Sequence, residues 1–427
     1  MFNFNSGIRN MKVLGKMTSE LYAFLKRNPV LIKPAKCVLA SLYRVRAVFY
    51  NAFHRREQPV APNRSCDDTG RWVRDFSSHQ TVSTASIQYV HQQTNSQRKV
   101  PGHLGDRLFW KFSQNLEFSL PSTFVAQIPS ARVLDEGFVI TPDNQLLNDV
   151  SVIIDQKSSE HRAFHDGGIG PVRRVSGKVA VLASYAGRGY YHWMIDLLPR
   201  LELIRLTEYN LEEIDKFIVN CYLTSYQIET LTKLGIPKEK LILVQFMKHL
   251  SVELLILPSL TNVYQAVPKW SCDFINKSFL DTEHHNHRGR SRIYISRSIA
   301  SRRHVVNEAE LVGLLKSLSF KIVTLEKMSV SEQARLFQSA AVVIGPHGAG
   351  LTNLVFCEPH TKVLEIIHPE AINLMFWTIA SHRDLDYNYL FAKGNLARVG
   401  GEVCLNSDDM EVDLDAIKLI LDKMGVS

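Results

Sequence analysis

Two near-continuous apolar runs in the second half of the chain constrain its fold more than any other feature. Ala341-Val-Val-Ile and Lys362-Val-Leu-Glu-Ile-Ile lack the alternation of a strand that has one face in water. Such runs are typical of strands buried on both faces of a parallel sheet, where helices cover both sides. The sequence therefore predicts an α/β fold in which strands and helices alternate.

The same alternation extends through most of the chain. Capping boxes at Asn307–Glu310 and Ser329–Glu332 predict two helix starts. Strands are predicted at 137–140, 150–154, 178–183, 216–220, 241–244, 252–257, 292–296, 321–325, 341–344 and 362–367, and helices at 190–206, 225–234, 268–280, 307–318 and 329–340. Alternation in both halves favours two doubly wound α/β domains.

Four segments are expected along the 427 residues, a length that suits about two to three domains. Residues 1–60 form a basic arm, and residues 61–135 a polar, irregular linker that leads into the first domain. The two α/β domains follow at 136–282 and 283–427, and the last helix is able to pack back on the first. The boundary between them is placed in the polar bridge that begins at Asp281.

The net charge of +8 is concentrated in the arm. Residues 1–60 hold eleven of the 50 Lys and Arg residues and two of the 42 acids, which leaves the rest of the chain at −1. A nucleic-acid-binding domain usually spreads its basic face over a folded core, so nucleic acid is not an expected partner. The arm reads as a basic amphipathic helix, which either contacts an anionic membrane or packs on the protein itself.

Membrane, secretion and metal signals are weak in the sequence. No segment has the roughly 20 apolar residues of a membrane span, and no signal peptide is recognised. The six cysteines lack metal spacing, which predicts reduced thiols and a cytoplasmic protein, peripheral at the cytoplasmic face of the membrane if the arm binds there. His284, His285 and His287 are interpreted as a solvated loop, and Asp384-Leu-Asp386 as a coincidental match to a metal motif.

The segment from Val343 to Asn353 carries the strongest chemical signal. An apolar strand precedes a loop with three glycines and a potentially helical stretch. Ligands of open α/β sheets bind at the carboxyl ends of strands, and a helix N-terminus favours phosphate. The predicted anion-binding residues are His347, Gly348, Ala349, Gly350, Thr352 and Asn353. The alternative is a tight turn that needs glycine for its geometry alone, and neither a dinucleotide fingerprint nor a Walker loop is present.

A second polar motif follows the strand that ends near Ser184. On one helix, His192, Asp196 and Arg200 are spaced four residues apart and share a face. A supported carboxylate of this kind can act as a general base. The alternative is a helix cap with an Asp–Arg pair.

Basic residues follow the strand at 292–296. Arg297, Arg302 and Arg303 are placed to clamp a pyrophosphate, or else they are solvent-facing loop residues. Glu365 interrupts an apolar strand and needs a partner there, for which a ribose or a neighbouring Arg is suitable.

These blocks, in this order, resemble glycosyltransferase family 61. The matching motifs are His192-Trp-x-x-Asp196, Ser296-Arg297 with the arginines after it, Gly345-Pro-His-Gly-Ala-Gly-Leu-Thr-Asn353, and the strand with Glu365. The resemblance covers about residues 135–390, and the bacterial branch described as capsular polysaccharide biosynthesis proteins is most similar. Arg188-Gly189 departs from the pattern, because relatives commonly have Asn there.

The resemblance implies a GT-B fold, in which two Rossmann-like domains face each other across a cleft. The first would bind a glycan or lipid-linked glycan acceptor, with Tyr191, Trp193 and Arg200 on that side. The second would bind a nucleotide-sugar, and the resemblance favours a UDP-sugar carrying xylose, N-acetylglucosamine or arabinose. The implied activity is inverting glycosyl transfer, in capsule, exopolysaccharide or cell-surface glycan synthesis.

The expected mechanism needs no cofactor and no divalent metal. Asp196 is the general base, with His192 as its substitute or orienter. Cationic side chains and His347 stabilise the leaving UDP in place of a metal. Two alternatives stay open: a non-catalytic nucleotide-sugar or glycan-binding relative, and a phosphate-handling hydrolase that uses His192 and Asp196. The sequence leaves the oligomeric state open.

Overall fold

The structure is a computed structural model that describes most of the chain beyond residue 60. The described residues are 61–78, 84–153, 161–164, 172–245, 248–261, 265–280, 291–300, 303–369, 371–394, 398–399, 402–403 and 409–426. The predicted basic arm, the three clustered histidines and Arg302 therefore lie outside them. The chain divides into two compact units, residues 59–395 with 406–427 and residues 1–58 with 396–405.

Helices and strands alternate through the larger unit. The α-helices are α1 (Thr69–Ser78), α2 (Trp110–Ser113), α3 (Tyr190–His192), α4 (Arg200–Arg205), α5 (Ser225–Lys233), α6 (Lys269–Phe279), α7 (Glu308–Ser317), α8 (Val330–Gln338), α9 (Met375–His382) and α10 (Leu414–Lys423). A π-helix spans Trp193–Leu197, and 3-10 helices span Asn148–Val150, Arg162–Phe164, Leu211–Glu213, Lys238–Lys240, Leu325–Lys327 and Ala349–Phe356.

The strands form two principal sheets. They are β1 (Arg64–Cys66), β2 (Ser86–His91), β3 (Thr94–Gln97), β4 (Glu117–Leu120), β5 (Thr123–Pro129), β6 (Arg132–Leu134), β7 (Phe138–Ile140), β8 (Gln145–Leu147), β9 (Arg173–Val181), β10 (Lys216–Val219), β11 (Leu241–Leu243), β12 (His249–Pro258), β13 (Ser291–Ile295), β14 (Phe320–Val323), β15 (Ala340–Pro346), β16 (Lys362–Ile367), β17 (Asp386–Phe391), β18 (Arg398–Val399) and β19 (Glu402–Val403). β18 and β19 pair antiparallel within the smaller unit.

The first sheet is mixed. Its main path runs β1-β8-β7-β6-β12-β9-β10-β11, and β5 joins β12 to β2. β9, β10, β11 and β12 are parallel to one another, whereas β5 and β6 are antiparallel to β12. The parallel half of this sheet therefore presents its carboxyl ends together, where the chain leaves β9 and β10.

The second sheet is fully parallel, in the order β14-β13-β15-β16-β17. The chain leaves β13 toward β14 on one side and returns to β15 on the other. This reversal creates a topological switch point between β13 and β15, the position at which open α/β sheets bind ligands. The buried strands β15 and β16 confirm the prediction made from their near-continuous apolar runs.

Helices cover both faces of the second sheet. On one face, Leu311 and Leu315 of α7 pack with Ile417 and Ile420 of α10 in one buried cluster. On the other face, α8, the 349–356 helix and α9 share a cluster with the elements that follow β9 in the first sheet. The predicted α/β class is confirmed, and the second sheet is Rossmann-like in its layers.

Three local predictions were wrong. Residues 61–135, predicted to be irregular, contain two helices and six strands. Of these strands β3 is short and polar, whereas β5 is an apolar, buried strand that the prediction overlooked. No strand forms at 150–153, where a 3-10 turn ends at Val150. Asn307 does not cap α7, because its side chain pairs with the main chain of Val412.

The capping box at Ser329–Glu332 is confirmed at the start of α8. A second carboxylate also caps this helix from outside. Glu229 of α5 accepts hydrogen bonds from the main-chain N–H groups of Val330 and Ser331, at 2.8 and 2.9 Å. Since α5 follows β10 of the first sheet, this contact fixes a helix of the second sheet to the first.

Candidate active site

The loop after β15 lies at the switch point and is closed on one side by an arginine. Gly348 is extended, with φ 177° and ψ 163°, so its backbone alone does not demand glycine. A Cβ atom there would lie 2.0 Å from Nη1 of Arg297, which follows β13. Glycine is therefore required for the close approach of the guanidinium to the loop. The predicted association of Arg297 with this loop is what the structure shows.

Arg297 is held from two directions. Its Nε donates to the Arg303 carbonyl at 3.2 Å, and its main-chain N–H donates to Glu308 at 3.3 Å. Burial lowers the pKa of the guanidinium below its usual value, while Glu326 and Glu308 oppose that effect. An anion bound beside the Gly348 loop would further stabilise the partly buried guanidinium of Arg297. Arg303 contributes its carbonyl to this arrangement.

The 3-10 helix Ala349–Phe356 begins directly behind Gly348. The first N–H groups of a helix have no partner within it, so the loop presents donors to the switch point. Ala349 is exposed and Gly350 half-buried, whereas Thr352 and Asn353 are fully buried. Ala349 and Gly350 are thus accessible to an anion bound at the switch point.

Thr352 and Asn353 are both buried, and Asn353 supports the turn from inside the protein. The Asn353 side chain accepts from the Tyr190 hydroxyl at 2.8 Å and donates to Gln333 at 2.7 Å. Burial raises the pKa of the Tyr190 hydroxyl well above its usual value, so it remains a donor. These contacts order the turn, as predicted for Asn353, rather than placing its side chain against a ligand.

His347 and Glu365 form a buried pair beneath the loop. Nδ1 of His347 is hydrogen-bonded to one oxygen of Glu365, and the Tyr387 hydroxyl donates to the other at 2.5 Å. Glu365 is completely buried and His347 is 7% exposed. The sequence predicted a ribose or an arginine as the partner of Glu365. That prediction was wrong, because the register of β15, β16 and β17 brings a histidine and a tyrosine to the carboxylate instead.

The second dyad follows β9 in the first sheet. Nδ1 of His192 lies 2.6 Å from Oδ2 of Asp196. Their side chains are 26% and 16% exposed, so His192 is the more accessible partner. A carboxylate bound to one ring nitrogen orients the imidazole and leaves the other nitrogen for proton transfer. The predicted pairing of His192 with Asp196 is confirmed as a contact.

Arg200 and Trp193 do not face an acceptor. The predicted helix 190–206 is interrupted by the π-helix, in which Leu198 N–H bonds to the Trp193 carbonyl. Arg200 is 1% exposed and donates to the carbonyls of three residues, Leu182, Ala183 and Pro258. Trp193 is fully buried and donates to Thr230 at 2.9 Å. The acceptor-side expectation for these two residues is corrected, because both support the core instead.

Aromatic rings connect the two dyads. The Tyr191 ring makes edge contacts with the rings of His192 and Phe376, at centroid distances of 5.1 and 5.9 Å. Phe376 in turn lies 5.1 Å from the His347 ring. One pair of packed rings therefore separates the dyad of the first sheet from the dyad of the second. Tyr191 itself is buried, so it joins the two sides rather than offering a surface.

Sequence reasoning missed several contributors to the site. Tyr387, Phe376, Gln333 and Glu308 gave no local signal, because each acts on a residue that is distant along the chain. The strand pattern at Tyr387-x-Tyr389 was a usable clue. These side chains share one face of β17, and Tyr389 is paired in register with Glu365.

A cavity of about 700 Å³ lies elsewhere, at the amino ends of β10 and β11. Its basic groups are already engaged, since Lys240 binds the carbonyls of Glu212 and Ile214, and Arg205 that of Leu234. Because parallel sheets bind ligands at their carboxyl ends, we place the site at the dyads and not in this cavity.

Neither a metal-binding cluster nor a membrane-spanning helix is found among the described residues. In the part of the chain that the structure covers, no three His, Cys, Asp or Glu side chains converge as a metal site would require. Among the same residues, no helix combines the length and apolar character needed to cross a bilayer. The predictions of a metal-independent reaction and of membrane contact through residues 1–60 stay predictions.

Comparison with known proteins gives the class of the domain. Residues 190–364 match the family described as Glycosyltransferase 61. A 72-residue stretch is 47% identical to beta-1,2-xylosyltransferase RCN11 of Oryza sativa subsp. japonica, and covers 17% of this chain and 14% of that protein. A 64-residue stretch is 44% identical to beta-1,2-xylosyltransferase of Arabidopsis thaliana, and covers 15% and 12%.

A less similar relative is also named as a sugar transferase. A stretch of 87 residues is 34% identical to the EGF domain-specific O-linked N-acetylglucosamine transferase of Gallus gallus, and covers 19% of this chain and 16% of that protein. The similarity to each of these three relatives thus spans less than a fifth of the relative's length. Residues 190–364 match the model of glycosyltransferase family 61, which confirms that part of the resemblance found in the sequence, while the bacterial capsular branch stays a prediction.

Proposed function

We propose that the protein is an inverting glycosyltransferase that moves a sugar from a UDP-sugar onto a glycan-type acceptor. One observation carries the proposal. An arginine closes over a glycine-rich loop at the switch point of one parallel sheet, and a His–carboxylate dyad lies close by on the next sheet. The first arrangement suits a diphosphate, and the second suits removal of a proton from a hydroxyl. Two sheets with these roles also support a GT-B-like arrangement.

The donor side is the second sheet. The diphosphate would lie against the N–H groups of Gly348, Ala349 and Gly350, with the Arg297 guanidinium on its open side. Arg303 would extend this basic edge, and the contribution predicted for Arg302 falls outside the described residues. The charge that develops on the leaving UDP is then stabilised by fixed donors, which do not have to reorganise during the reaction.

The acceptor side is the first sheet. Tyr222 is 51% exposed in the loop after β10, and its hydroxyl accepts from Arg188 at 2.8 Å. Arg188 lies four residues before His192 in the loop that leads to the dyad. An exposed aromatic ring beside a charged group offers a sugar both an apolar face and hydrogen bonds. We therefore assign acceptor contact to Tyr222 and Arg188 in place of Trp193 and Arg200.

The chemical step is a single displacement. Nε2 of His192, oriented by Asp196, takes the proton of the acceptor hydroxyl. The acceptor oxygen bonds to the anomeric carbon while the bond from that carbon to the diphosphate oxygen breaks. The electron pair leaves with UDP, and the anomeric configuration inverts. Asp196 as the direct base, with His192 as its orienter, is the alternative assignment.

The test is transfer by the purified full-length chain. UDP-xylose, UDP-arabinose and UDP-N-acetylglucosamine are offered with a panel of glycan acceptors, with and without EDTA, and UDP release is measured. We expect acceptor-dependent release that survives EDTA. Equal release without any acceptor would favour a hydrolase, and UDP binding without release would favour a non-catalytic relative.

Variants of the dyad test the residue assignment. His192→Ala is expected to lower kcat by roughly 10²–10⁴, the usual contribution of a general base. Asp196→Asn removes the orienting charge and lowers kcat less, if His192 is the base. Asp384→Asn is the matched control, since Asp384 pairs with Lys99 and His360 at the surface. Full turnover of both dyad variants under chemistry-limited conditions would refute the assignment.

Cellular context is the least constrained part of the proposal. We propose a cytoplasmic enzyme of capsule, exopolysaccharide or other cell-surface glycan synthesis, whose acceptor is a glycan or a lipid-linked glycan. Its residues 1–60 would contact anionic membrane, because their net charge is +9. Flotation of the full chain with phosphatidylserine vesicles, compared with neutral vesicles, tests the membrane contact. Equal recovery in both fractions would contradict it.

A further inference from the structure

Two carboxylates around the loop after β15 already bind groups of the protein itself. Glu365 is completely buried, and its oxygens contact Nδ1 of His347 and the Tyr387 hydroxyl. One oxygen of Glu308, in the helix that follows β13, accepts from the Tyr294 hydroxyl at 3.0 Å. The ribose of a bound nucleotide also needs acceptors, because a hydroxyl that leaves water without a new partner costs free energy. These two carboxylates serve the fold rather than a ribose.

A third carboxylate, Glu326, lies in the 3-10 helix that follows β14. Glu326 is exposed, whereas Leu325 beside it is buried. β14 pairs with β13 in parallel, so the segments that follow these two strands leave the sheet at the same edge. This is the carboxyl edge at which open α/β sheets bind their ligands. Glu326 therefore lies at the same edge as Arg297 and the loop after β15.

Direct contacts hold the turn after β14 against the loop after β15. A Cβ atom on Gly350 would lie 2.9 Å from Cδ1 of Leu325, so the two segments touch. Nε2 of Gln333 donates to the carbonyls of Leu325 and Met328, at 3.2 and 3.1 Å. Oε1 of the same side chain accepts from Asn353 at 2.7 Å. One buried amide thereby fixes the position of this turn relative to the helix that begins at the donor loop.

The charge of Glu326 acts on the guanidinium of Arg297. Burial has the largest effect on the pKa of Arg297 and lowers it, and Glu326 opposes burial more strongly than Glu308 does. This holds although Glu308 accepts from the main-chain N–H of Arg297 at 3.3 Å. The interaction of two charges falls with distance, so the Glu326 carboxylate lies on the side of its turn that faces Arg297. The same guanidinium borders Gly348, where the diphosphate is proposed to bind.

An apolar side chain lies beside the same arginine. Ile299 is 53% exposed, two residues beyond Arg297. Its turn is closed by a hydrogen bond from the Ala300 N–H to the Arg297 carbonyl at 3.0 Å, and Nε2 of His304 is hydrogen-bonded to the Ala300 carbonyl at 2.7 Å. Ligand sites combine apolar surface with a few placed polar groups. A nucleoside, with an apolar base face and a polar ribose, matches that combination.

We propose that Glu326 holds the ribose of the donor nucleotide, with one carboxylate oxygen accepting from the 2′-hydroxyl and the other from the 3′-hydroxyl. The base lies on Ile299, and Arg297 neutralises the charge between the carboxylate and the diphosphate. An ionised carboxylate only accepts hydrogen bonds and has two oxygens, so it suits a pair of hydroxyl donors. This inference rests on the proposed function and deepens it, because it makes the site selective for ribonucleotides.

The experiment is calorimetric titration of the full-length chain with UDP and with 2′-deoxy-UDP. The deoxy form lacks one hydrogen bond to a charged group, so the wild type should bind UDP roughly 10- to 150-fold more tightly. Glu326→Ala should bind the two nucleotides with nearly equal affinity, because neither ribose then has a carboxylate partner. Equal affinity of the wild type for both nucleotides would overturn the inference.

A purely supporting role of Glu326 predicts a different result. If Glu326 only orients Arg297, the alanine variant binds both nucleotides more weakly by the same factor and keeps the wild-type preference for UDP. That result would also overturn the inference. Glu239→Ala is the matched control, since Glu239 is likewise an exposed glutamate in a 3-10 helix, but at the amino end of β11. It should retain the wild-type preference.

The outcomes distinguish this inference from the function it rests on. UDP binding without any preference for the ribose form contradicts the role of Glu326 and leaves the proposed function intact. A wild-type chain that binds neither nucleotide refutes both. Melting curves confirm that each variant is folded. Glu326→Gln, which keeps the size of the side chain and one acceptor oxygen, should show a reduced preference and serves as the test if the alanine variant is unfolded.

Discussion

Replacing Gly348 by alanine isolates the contact on which the donor side depends. The new Cβ atom would lie 2.0 Å from Nη1 and 3.0 Å from Cζ of Arg297, and 3.6 Å from the Pro346 carbonyl. The nearest backbone atom is thus at ordinary van der Waals distance, and φ of 177° suits alanine. The guanidinium is the group that has to move. Gly348→Ala should therefore displace Arg297 while leaving the loop folded.

The size of the effect follows from the contact that is lost. A hydrogen bond to a charged group contributes about 1.5–3 kcal/mol. Since about 1.4 kcal/mol corresponds to tenfold in affinity, Gly348→Ala should weaken UDP binding by roughly 10- to 150-fold. Titration calorimetry with UDP measures this directly. Gly313→Ala is the matched control, because a Cβ at that position in α7 meets no atom within 4 Å.

A double-mutant cycle tests whether Gly348→Ala weakens UDP binding by displacing Arg297. If Gly348→Ala acts by displacing Arg297, it should add little to the loss caused by Arg297→Ala alone. The combined variant would then bind UDP about as weakly as Arg297→Ala. Losses that simply add would show that the alanine damages the loop itself, and would refute the reasoning from the guanidinium contact.

Three further predictions concern residues around the site. Tyr190→Phe removes the 2.8 Å hydrogen bond to Asn353 that joins the helix of one dyad to the donor loop, so we expect about 1 kcal/mol lower stability and a lower kcat, measured by chemical denaturation and UDP release. Arg200→Met leaves buried carbonyls without their donor and should cost about 3–5 kcal/mol in denaturation experiments, whereas an acceptor-binding role predicts a higher acceptor KM at normal stability. Burial lowers the pKa of His382 below its usual 6.5, so below that pH the unfolded chain takes up the proton first and stability falls. His382→Gln, which can still donate to Val267, should flatten the decline in Tm between pH 7.5 and 5.5, and an unchanged decline would contradict this.

The sequence was sufficient to predict the elements whose structure is determined by a short stretch of neighbouring residues. Near-continuous apolar runs identified β15 and β16, and Ser329 with Glu332 identified the start of α8. The glycine-rich loop and the His192–Asp196 pair were found for the same reason, since each lies within about ten residues of chain. The family resemblance drew on those same short motifs.

The features that the sequence did not predict depend on contacts between residues that are distant along the chain. The partner of Glu365 is set by strand register, which brings Tyr387 and His347 to it from either side. Arg200 turned inward because a π-helix changes the angular spacing after His192, and equal four-residue steps no longer share one face. Among the strands of residues 64–134, β3 was missed because its short polar sequence shows no apolar period, whereas β5 carries apolar residues and was overlooked.

The central claim is that the loop at Gly348, with Arg297 over it, holds the diphosphate of an activated sugar. A crystal structure of the full chain with UDP tests it most directly. We expect the two phosphates on the N–H groups of residues 348–350 and within hydrogen-bond reach of Arg297. Phosphates bound away from this loop, with Arg297 still resting against an empty Gly348, would contradict it.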